Sequence, residues 1–279
     1  MDADEAKLVF ERKAAAVDPE VELPPLSAVP GREGYGWIDF EGLQNTRDLG
    51  GLLTQDGRRV RRGLLLRSGS LHFGTEADLR RLQDEYDLRV VIDFRAERET
   101  VESPDPMELL PGVRYVPACV LDGEAFGIMQ DERSRAVAQM MVERGEVDRS
   151  KLTEVLYTHI LLAKSALKGY RLFFDELLAC ETGAALWHCF VGRDRCGMGS
   201  YLLETVLGVP EDEKRRDYLA TNVYAPAELT QIGPAGSHLL DAATAAVEGA
   251  YGGYEGYLKD GLGLTEGELG ALRARYLEG

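Results

Sequence analysis

The sequence is short of the residues that build metal and disulfide sites. It has only 4 cysteines and 4 histidines among 279 residues, and no Cys-x-x-Cys pair occurs. Neither a metal site nor a small disulfide scaffold is therefore indicated. No apolar run reaches the roughly 18 residues of a membrane helix. The first residues, MDADEAKLVF, also lack the basic start and apolar core of a signal peptide. We expect a cytoplasmic protein without stable membrane insertion, and export by a non-standard route stays open.

Positive charge is scarce as well. Lys and Arg number 32 and Asp and Glu number 48, which gives a net charge of −16. Such a surface repels nucleic acid over most directions of approach, so an anionic substrate has to be captured by a local site. The chain is long enough for a full core, and 44% of its residues are apolar, which predicts one large domain. The oligomeric state does not follow from the sequence.

Short apolar runs alternate with helical repeats, and this pattern predicts an α/β fold with a sheet flanked by helices. Two predicted strands, at 49–53 and 60–66, form a hairpin around Asp56-Gly57. Three further strands are predicted at 88–94, 113–120 and 183–187. The predicted helices lie at 76–86, 136–144, 152–178, 198–207, 211–220 and 265–277. A loop is predicted at 252–264, where glycine is frequent.

Composition divides the chain into two parts. Residues 1–36 mix charges with proline and glycine, which predicts an N-terminal arm or a short strand pair laid on the domain. Residues 37–279 form the predicted domain. Within it, about 122–179 has apolar residues at helical spacing, which predicts a helical insertion or lid over the sheet.

One loop carries the chemistry. Residues 188–197 read His-Cys-Phe-Val-Gly-Arg-Asp-Arg-Cys-Gly and lie between a predicted strand and a predicted helix. In this setting backbone N–H groups can converge on a tetrahedral oxyanion, and the helix N-terminus adds positive potential. The expected phosphate-binding residues are Phe190, Val191, Gly192, Arg193, Asp194 and Arg195. Arg195 adds a bidentate guanidinium, and these surroundings favour the thiolate of Cys189, the form that attacks phosphorus.

The loop resembles the signature of a bacterial tyrosine phosphatase family, His-Cys-x-x-Gly-Lys-Asp-Arg-Thr-Gly. Further stretches at 45–51, 62–69 and 92–95 are similar to segments of that family, and the resemblance covers about 40–277. It implies a tyrosine phosphatase-like fold and a two-step phosphomonoesterase that forms a phosphocysteine on Cys189 without metal or cofactor. The implied substrates are phosphotyrosine proteins or, in some members, phosphoinositides.

Two residues depart from the family signature. Arg193 replaces a lysine, which keeps a cation near the mouth of the loop but changes its shape. Cys196 replaces a threonine or serine whose hydroxyl, in the family, eases breakdown of the phosphocysteine. A thiol is a weaker donor, so we expect slower turnover. Cys196 is then either a small buried residue or a partner that traps oxidised Cys189 as a disulfide.

The proton for the leaving group has two candidate donors. Asp194 lies between two arginines, which favour its ionised form until a phosphate dianion binds, and the resemblance implies a catalytic aspartate there. Asp93 ends a predicted core strand, where α/β sites assemble, and is either the donor or an organiser of Arg95. Supporting roles are expected for His188, which would tune Cys189, and for Arg47 and Asp48, which would brace the loop. Arg67 and Ser68, at the end of a predicted strand, are further candidates for a supporting role.

Three other functions use the same loop. A phosphoinositide or dual-specificity phosphatase is favoured if Arg193 lies in a wide basic mouth. A sulfur or arsenate enzyme with a Cys-x5-Arg loop is disfavoured by the flanking family stretches. The remaining alternative is a phosphate-binding module whose turnover has failed with Cys196.

Overall fold

A computed structural model describes residues 2–121, 149–226 and 233–279, together with residues 140, 144 and 145. Its main sheet has five strands in the order β1-β3-β6-β4-β5. They are β1 Arg47–Asp48, β3 Leu65–Ser68, β4 Leu88–Asp93, β5 Arg114–Pro117 and β6 Ala184–His188. All neighbouring pairs are parallel except β1 with β3. A second, two-stranded sheet pairs β2 Arg59–Val60 with β7 Leu277–Glu278.

Helices surround this sheet. They are α1 Ala3–Ala14, α2 Glu76–Tyr86, α3 Glu97–Glu102, α4 Arg149–Leu162, α5 Lys164–Ala179, α6 Asp194–Leu207, α7 Glu211–Leu219, α8 Thr221–Tyr224, α9 Ser237–Tyr251, α10 Tyr254–Gly256 and α11 Glu266–Tyr276. Short 3₁₀ turns lie at Leu71–Phe73 and Met107–Leu109, and a π-helical turn lies at Tyr257–Gly261. No helix in the described ranges is both long and apolar enough to span a bilayer.

The two faces of the sheet belong to different cores, because side chains alternate along each strand. Val91 and Leu186 pack on one face with Leu79 and Leu82 of α2. The opposite face carries the larger core, which includes Val90, Ile92, Ala185 and Trp187 of the strands and Tyr157, Phe173 and Leu202 of the helices. The α/β fold predicted from the sequence is confirmed.

The predicted hairpin is only partly present. The turn exists, with Gly57 at φ 87° and a single bridge between Leu53 and Arg59. Residues 49–53 form no strand, however, and the long second strand is divided into β2 and β3. The reason is tertiary, since β2 pairs with β7 from the C-terminus and β3 pairs with β1 and β6.

Three other predicted elements differ from the structure. The helix expected at 152–178 is two helices that meet at Ala163. The loop expected at 252–264 contains α10 and the π-helical turn, because Tyr257 and Leu258 are buried in the core. The strand pair considered for residues 1–36 is absent, since α1 forms there and packs through Phe10 against Tyr224. Most of the helix predicted at 136–144 lies outside the described residues.

Candidate active site

The loop after β6, here called the anion loop (residues 189–195), connects a fully buried strand to the N-terminus of α6. It needs glycine at one position. Gly192 has φ 77°, and a Cβ there would lie 2.6 Å from the Ser68 carbonyl oxygen. Only glycine adopts this left-handed conformation at no steric cost while letting the loop approach β3 so closely.

Three carbonyl groups of the anion loop accept hydrogen bonds from residues outside the loop. The Ser70 N–H donates to the Phe190 carbonyl at 2.9 Å. Asn45 Nδ2 donates to the carbonyls of Val191 and Gly192 at 3.2 and 3.1 Å. Arg67 Nη2 donates to the Gly192 carbonyl at 2.9 Å. Three consecutive carbonyls are thus fixed on the outer side of the loop.

The N–H groups of the same peptides must point the other way. No cis peptide bond occurs in the part of the chain that the structure describes, and in a planar trans peptide a carbonyl and the following N–H point in opposite directions. The N–H groups of Val191, Gly192 and Arg193 therefore face the inside of the loop. Within the described residues they donate to no backbone acceptor. Such a concave set of unused amides binds an oxyanion.

Arg195 is held by a carboxylate from another element. Its Nη1 and Nη2 donate to Glu99 of α3 at 2.5 and 2.9 Å, and both side chains are buried. Burial opposes the charged form, but Glu99 raises the pKa of Arg195 above its usual value, so it stays a guanidinium. Its Nε is buried without a hydrogen-bond partner among the described residues. The guanidinium is thereby oriented while one donor stays available for an anion.

Cys189 begins the anion loop and is 2% exposed. Cys196 lies in the first turn of α6, fully buried, and its thiol donates to the Trp187 carbonyl at 3.6 Å. Burial raises the pKa of Cys196 to about 12. A thiol that stays protonated is a poor nucleophile, which favours the interpretation of Cys196 as a small packed residue over a disulfide partner.

The Cys196 substitution carries a prediction about turnover. Replacing Cys196 by threonine supplies a hydroxyl donor near the nucleophile, which stabilises the departing thiolate by about 1 kcal/mol. We expect kcat for p-nitrophenyl phosphate to rise about fivefold, with a smaller burst of p-nitrophenol relative to the steady-state rate because less intermediate accumulates. Cys196→Ala serves as the control without a donor. Equal rates in both variants would show that the donor at this position does not limit turnover.

Asp194, one of the two candidate acids, lies at the N-terminus of α6. Its Oδ1 accepts from Arg193 Nε at 2.9 Å and from the Tyr157 hydroxyl at 2.7 Å. Arg193 also donates to the Gly233 carbonyl and is only 2% exposed. The structure thus places Arg193 inside a buried network around Asp194 and not in an open basic mouth.

Asp93, the other candidate acid, is bound in a separate buried cluster. It accepts from Arg95 Nη2 at 2.7 Å and from the Tyr115 hydroxyl at 2.8 Å. Burial would raise its pKa, but His188 and Arg95 lower the pKa of Asp93 to about 2. A carboxyl group this acidic holds no proton at neutral pH, so the geometry suits the role of Arg95 organiser.

His188 stands between this cluster and the anion loop. In the sheet it lies directly opposite Asp93. Its Nδ1 lies 3.0 Å from the Cys189 carbonyl oxygen, and its Nε2 lies 2.9 Å from Asp105 Oδ2. Burial opposes the charged form, but Asp105 and Asp93 raise the pKa of His188. The imidazole is therefore placed between Asp105 and the carbonyl group of Cys189.

The same cluster contains the one group of metal-ligating side chains found among the described residues. One ligand atom each from Asp93, Asp105 and His188 lies within 4.8 Å of the others. The Arg95 guanidinium, however, is paired with both carboxylates, at 2.7 Å from Asp93 and 2.8 Å from Asp105. The positive charge of Arg95 already balances the two carboxylates that a metal ion would need as ligands. The cluster therefore fits an ion-pair network better than a metal site.

The two supporting residues from β1 lie apart from each other. Asp48 accepts from the N–H groups of Gly50 and Gly63 at 2.7 and 2.8 Å and so shapes its own turn. Arg47 instead joins the Asp217 cluster, defined as Arg32, Arg47, Arg67 and Asp217. Asp217 of α7 pairs with these arginines at 3.0, 3.2 and 2.9 Å, and Arg67 links the cluster to the anion loop.

Several residues of this site were not predicted from the sequence. They are Asn45, Glu99, Tyr157 and Asp217, together with Tyr170, whose hydroxyl donates to the Arg195 carbonyl at 3.0 Å. Asn45 stands in a stretch that resembles the family, as does Asp217, which begins the similar stretch 217–219. Glu99 and Tyr157 lie in helices distant in sequence from the anion loop, where a carboxylate or a phenol looks like any other polar or amphipathic residue.

Comparisons with known proteins identify the family of this chain. The family model described as tyrosine phosphatase family matches residues 38–278. A protein of Cupriavidus necator named "putative tyrosine-protein phosphatase" is 29% identical over 96% of this chain and 98% of its own length. A tyrosine-protein phosphatase of Nostoc commune is 32% identical over 38% of this chain and 43% of its own length. The chain therefore belongs to the tyrosine phosphatase family.

Proposed function

We propose that the protein hydrolyses phosphotyrosine in proteins through a phosphocysteine on Cys189. One observation carries the proposal: three consecutive carbonyls of the anion loop, those of Phe190, Val191 and Gly192, accept hydrogen bonds from residues outside it. The N–H groups that follow them therefore point to the inside of the loop that Cys189 begins. Such a set of N–H donors stabilises the equatorial oxygens of the phosphoryl group in the transition state of its transfer. The buried Glu99–Arg195 pair adds an oriented cation to the same place.

The proposed first step transfers the phosphoryl group to sulfur. The Cys189 thiolate attacks phosphorus, an S–P bond forms, and the P–O bond to the tyrosine ring breaks. Asp194 gives its proton to the leaving phenolate while the loop amides and Arg195 hold the three remaining oxygens. In the second step Asp194 takes a proton from water as the water oxygen attacks phosphorus. The S–P bond breaks, and inorganic phosphate and the thiolate are released.

Two features support an aryl phosphate on a protein over a phosphoinositide as substrate. Arg193 is buried against Asp194, so it offers little to additional phosphates on an inositol ring. Phe190 is partly exposed, and its ring meets Phe73 edge to face with centroids 5.5 Å apart. An aromatic pair beside the anion loop suits a phenyl ring.

The acid assignment makes a prediction. Asp194→Asn cannot donate a proton, so we expect kcat for a phosphotyrosine peptide to fall about 100- to 1000-fold. The loss should be much smaller with p-nitrophenyl phosphate, whose leaving group is stable without a proton. The alkaline limb of the pH–rate profile should also disappear. The measurement is kcat against pH for both substrates.

Asp93→Asn is the matched control, because it removes the rival carboxylate on the neighbouring strand. We expect it to keep the alkaline limb, whatever it does to stability. If Asp93→Asn loses that limb and Asp194→Asn keeps it, the acid is Asp93. Phosphate release from inositol lipids but not from phosphotyrosine peptides would replace the substrate assignment. Phosphopeptide binding without any phosphate release would identify a binding module.

A further inference from the structure

A hydroxyl group from helix α4 is bound directly to the proposed acid. The Tyr157 hydroxyl donates to Asp194 Oδ1 at 2.7 Å, and the Tyr157 side chain is completely buried. Arg193 Nε donates to the same oxygen at 2.9 Å. Oδ1 therefore already has two donors, and a proton placed on it would face the hydrogens of both.

The direction of the hydrogen bonds is fixed by a second tyrosine. The hydroxyls of Tyr157 and Tyr218 of α7 are in contact. Because the single proton of Tyr157 goes to Asp194, Tyr218 must donate to the Tyr157 oxygen. Burial and then Asp194 raise the pKa of both phenols above the ordinary value, so both stay protonated at neutral pH. A chain of two oriented hydroxyls thus ends on one carboxylate oxygen.

The other oxygen of Asp194 is in a different position. Oδ2 accepts no hydrogen bond from the described residues. It is also not one of the fully buried polar atoms that lack a partner, so it has some exposure to solvent. The Asp194 side chain is 8% exposed, and this exposure is at the oxygen without donors. A proton on Asp194 is consequently stable on Oδ2 and unstable on Oδ1.

We propose that Tyr157 is a positioning residue that directs the acid proton of Asp194 to Oδ2. The proposal rests on the proposed function, in which Asp194 is the acid. Arg193 alone cannot hold the carboxylate in this way, because its guanidinium is shared with the Gly233 carbonyl. Tyr157 supplies the second contact that fixes the rotation of the carboxylate.

The proposal predicts a shift in pH dependence with a definite sign. The groups that face Asp194 are Arg193 from the anion loop, Tyr157 from α4 and Tyr218 from α7. A hydrogen bond donated to a carboxylate favours its ionised form. Removing the Tyr157 hydroxyl therefore makes the proton harder to lose, so the alkaline limb of kcat should move to higher pH.

The test is Tyr157→Phe, with kcat measured against pH on a phosphotyrosine peptide. We expect the alkaline limb to move up by about one pH unit, because a hydrogen bond to a charged group contributes about 1.5 kcal/mol. The plateau kcat should fall several-fold while KM changes little. Tyr257→Phe is the matched control: this buried hydroxyl also binds α4, at the Leu161 carbonyl 2.8 Å away, but does not touch Asp194. It should leave the limb in place.

An unmoved alkaline limb in Tyr157→Phe, or an equal shift in Tyr257→Phe, would overturn the inference. Should Tyr157→Phe fold poorly, Tyr218→Phe provides a second test. It leaves Tyr157 in place but removes the donor behind it, and the limb should move in the same direction by less. A merely structural Tyr157 would lower the melting temperature without moving the limb. Loss of the alkaline limb in Asp194→Asn establishes the acid independently of Tyr157, and loss of hydrolysis in Cys189→Ser establishes the nucleophile, so the two proposals fail separately.

Discussion

Replacing Cys189 by serine is expected to lower phosphotyrosine hydrolysis by about four orders of magnitude or more. A serine hydroxyl is not ionised at neutral pH, and Asp194 has to be protonated to act as the acid in the first step, so it cannot also deprotonate the serine. The loop amides, Arg195 and Glu99 do not depend on the sulfur, so the variant should still bind phosphopeptide. The measurement is phosphate release under saturating substrate, together with the affinity for the same peptide.

Cys180→Ser is the matched control for this substitution. Cys180 is also buried and free, and its thiol donates to the Thr182 carbonyl at 3.4 Å, outside the anion loop. We expect Cys180→Ser to keep wild-type rates. Activity that survives in Cys189→Ser would contradict the assignment of the nucleophile, and equal losses in both variants would point to stability instead.

Asp217→Asn is expected to lower the free energy of unfolding by about 3–5 kcal/mol. Among the described residues, Asp217 is the carboxylate that pairs with all three buried arginines of the Asp217 cluster. Burial opposes its ionised form, yet Arg47, Arg67 and Arg32 lower the pKa of Asp217. Without this charge, three guanidinium groups would remain buried with only neutral partners.

Glu204 is a second buried carboxyl group near the cluster. Burial, and then the charge of Asp217, raise the pKa of Glu204, which disfavours the ionised form that would pair with the arginines. Urea unfolding followed by circular dichroism measures the change, with Asp212→Asn as control. Asp212 lies on the same helix and pairs with Arg216 at 3.3 Å, but it is exposed, so its loss should change stability by less than about 0.5 kcal/mol. A loss of that small size in Asp217→Asn would contradict the role given to the cluster.

The sequence allowed the local parts of the site to be predicted. The anion loop could be found because its chemistry depends on neighbouring residues, namely a cysteine, a glycine that permits a left-handed turn, and an arginine at a helix start. The central parallel strands β4 and β6 could be found because almost all of their side chains are buried, so each reads as a mostly apolar run. These features are encoded within a few consecutive residues.

The remaining parts depend on pairing between distant segments. Arg47 was expected to brace the loop, but it is Asn45 and Arg67 that bind the loop carbonyls, while Arg47 binds Asp217. Glu99 and Arg195 are 96 positions apart, and nothing in a single sequence couples a particular glutamate to a particular arginine. The hairpin was misjudged for the same reason, because the partner of β2 comes from the opposite end of the chain.

Capture of the phosphorylated enzyme tests the central claim most directly. The protein is mixed rapidly with a phosphotyrosine peptide, denatured within the first turnover, digested and mapped by mass spectrometry. The account predicts phosphate on the thiol of the peptide that contains Cys189, in wild-type protein and in Cys196→Thr, and its absence in Cys189→Ser. Phosphate release without this adduct, or phosphate attached to another residue, would contradict the account.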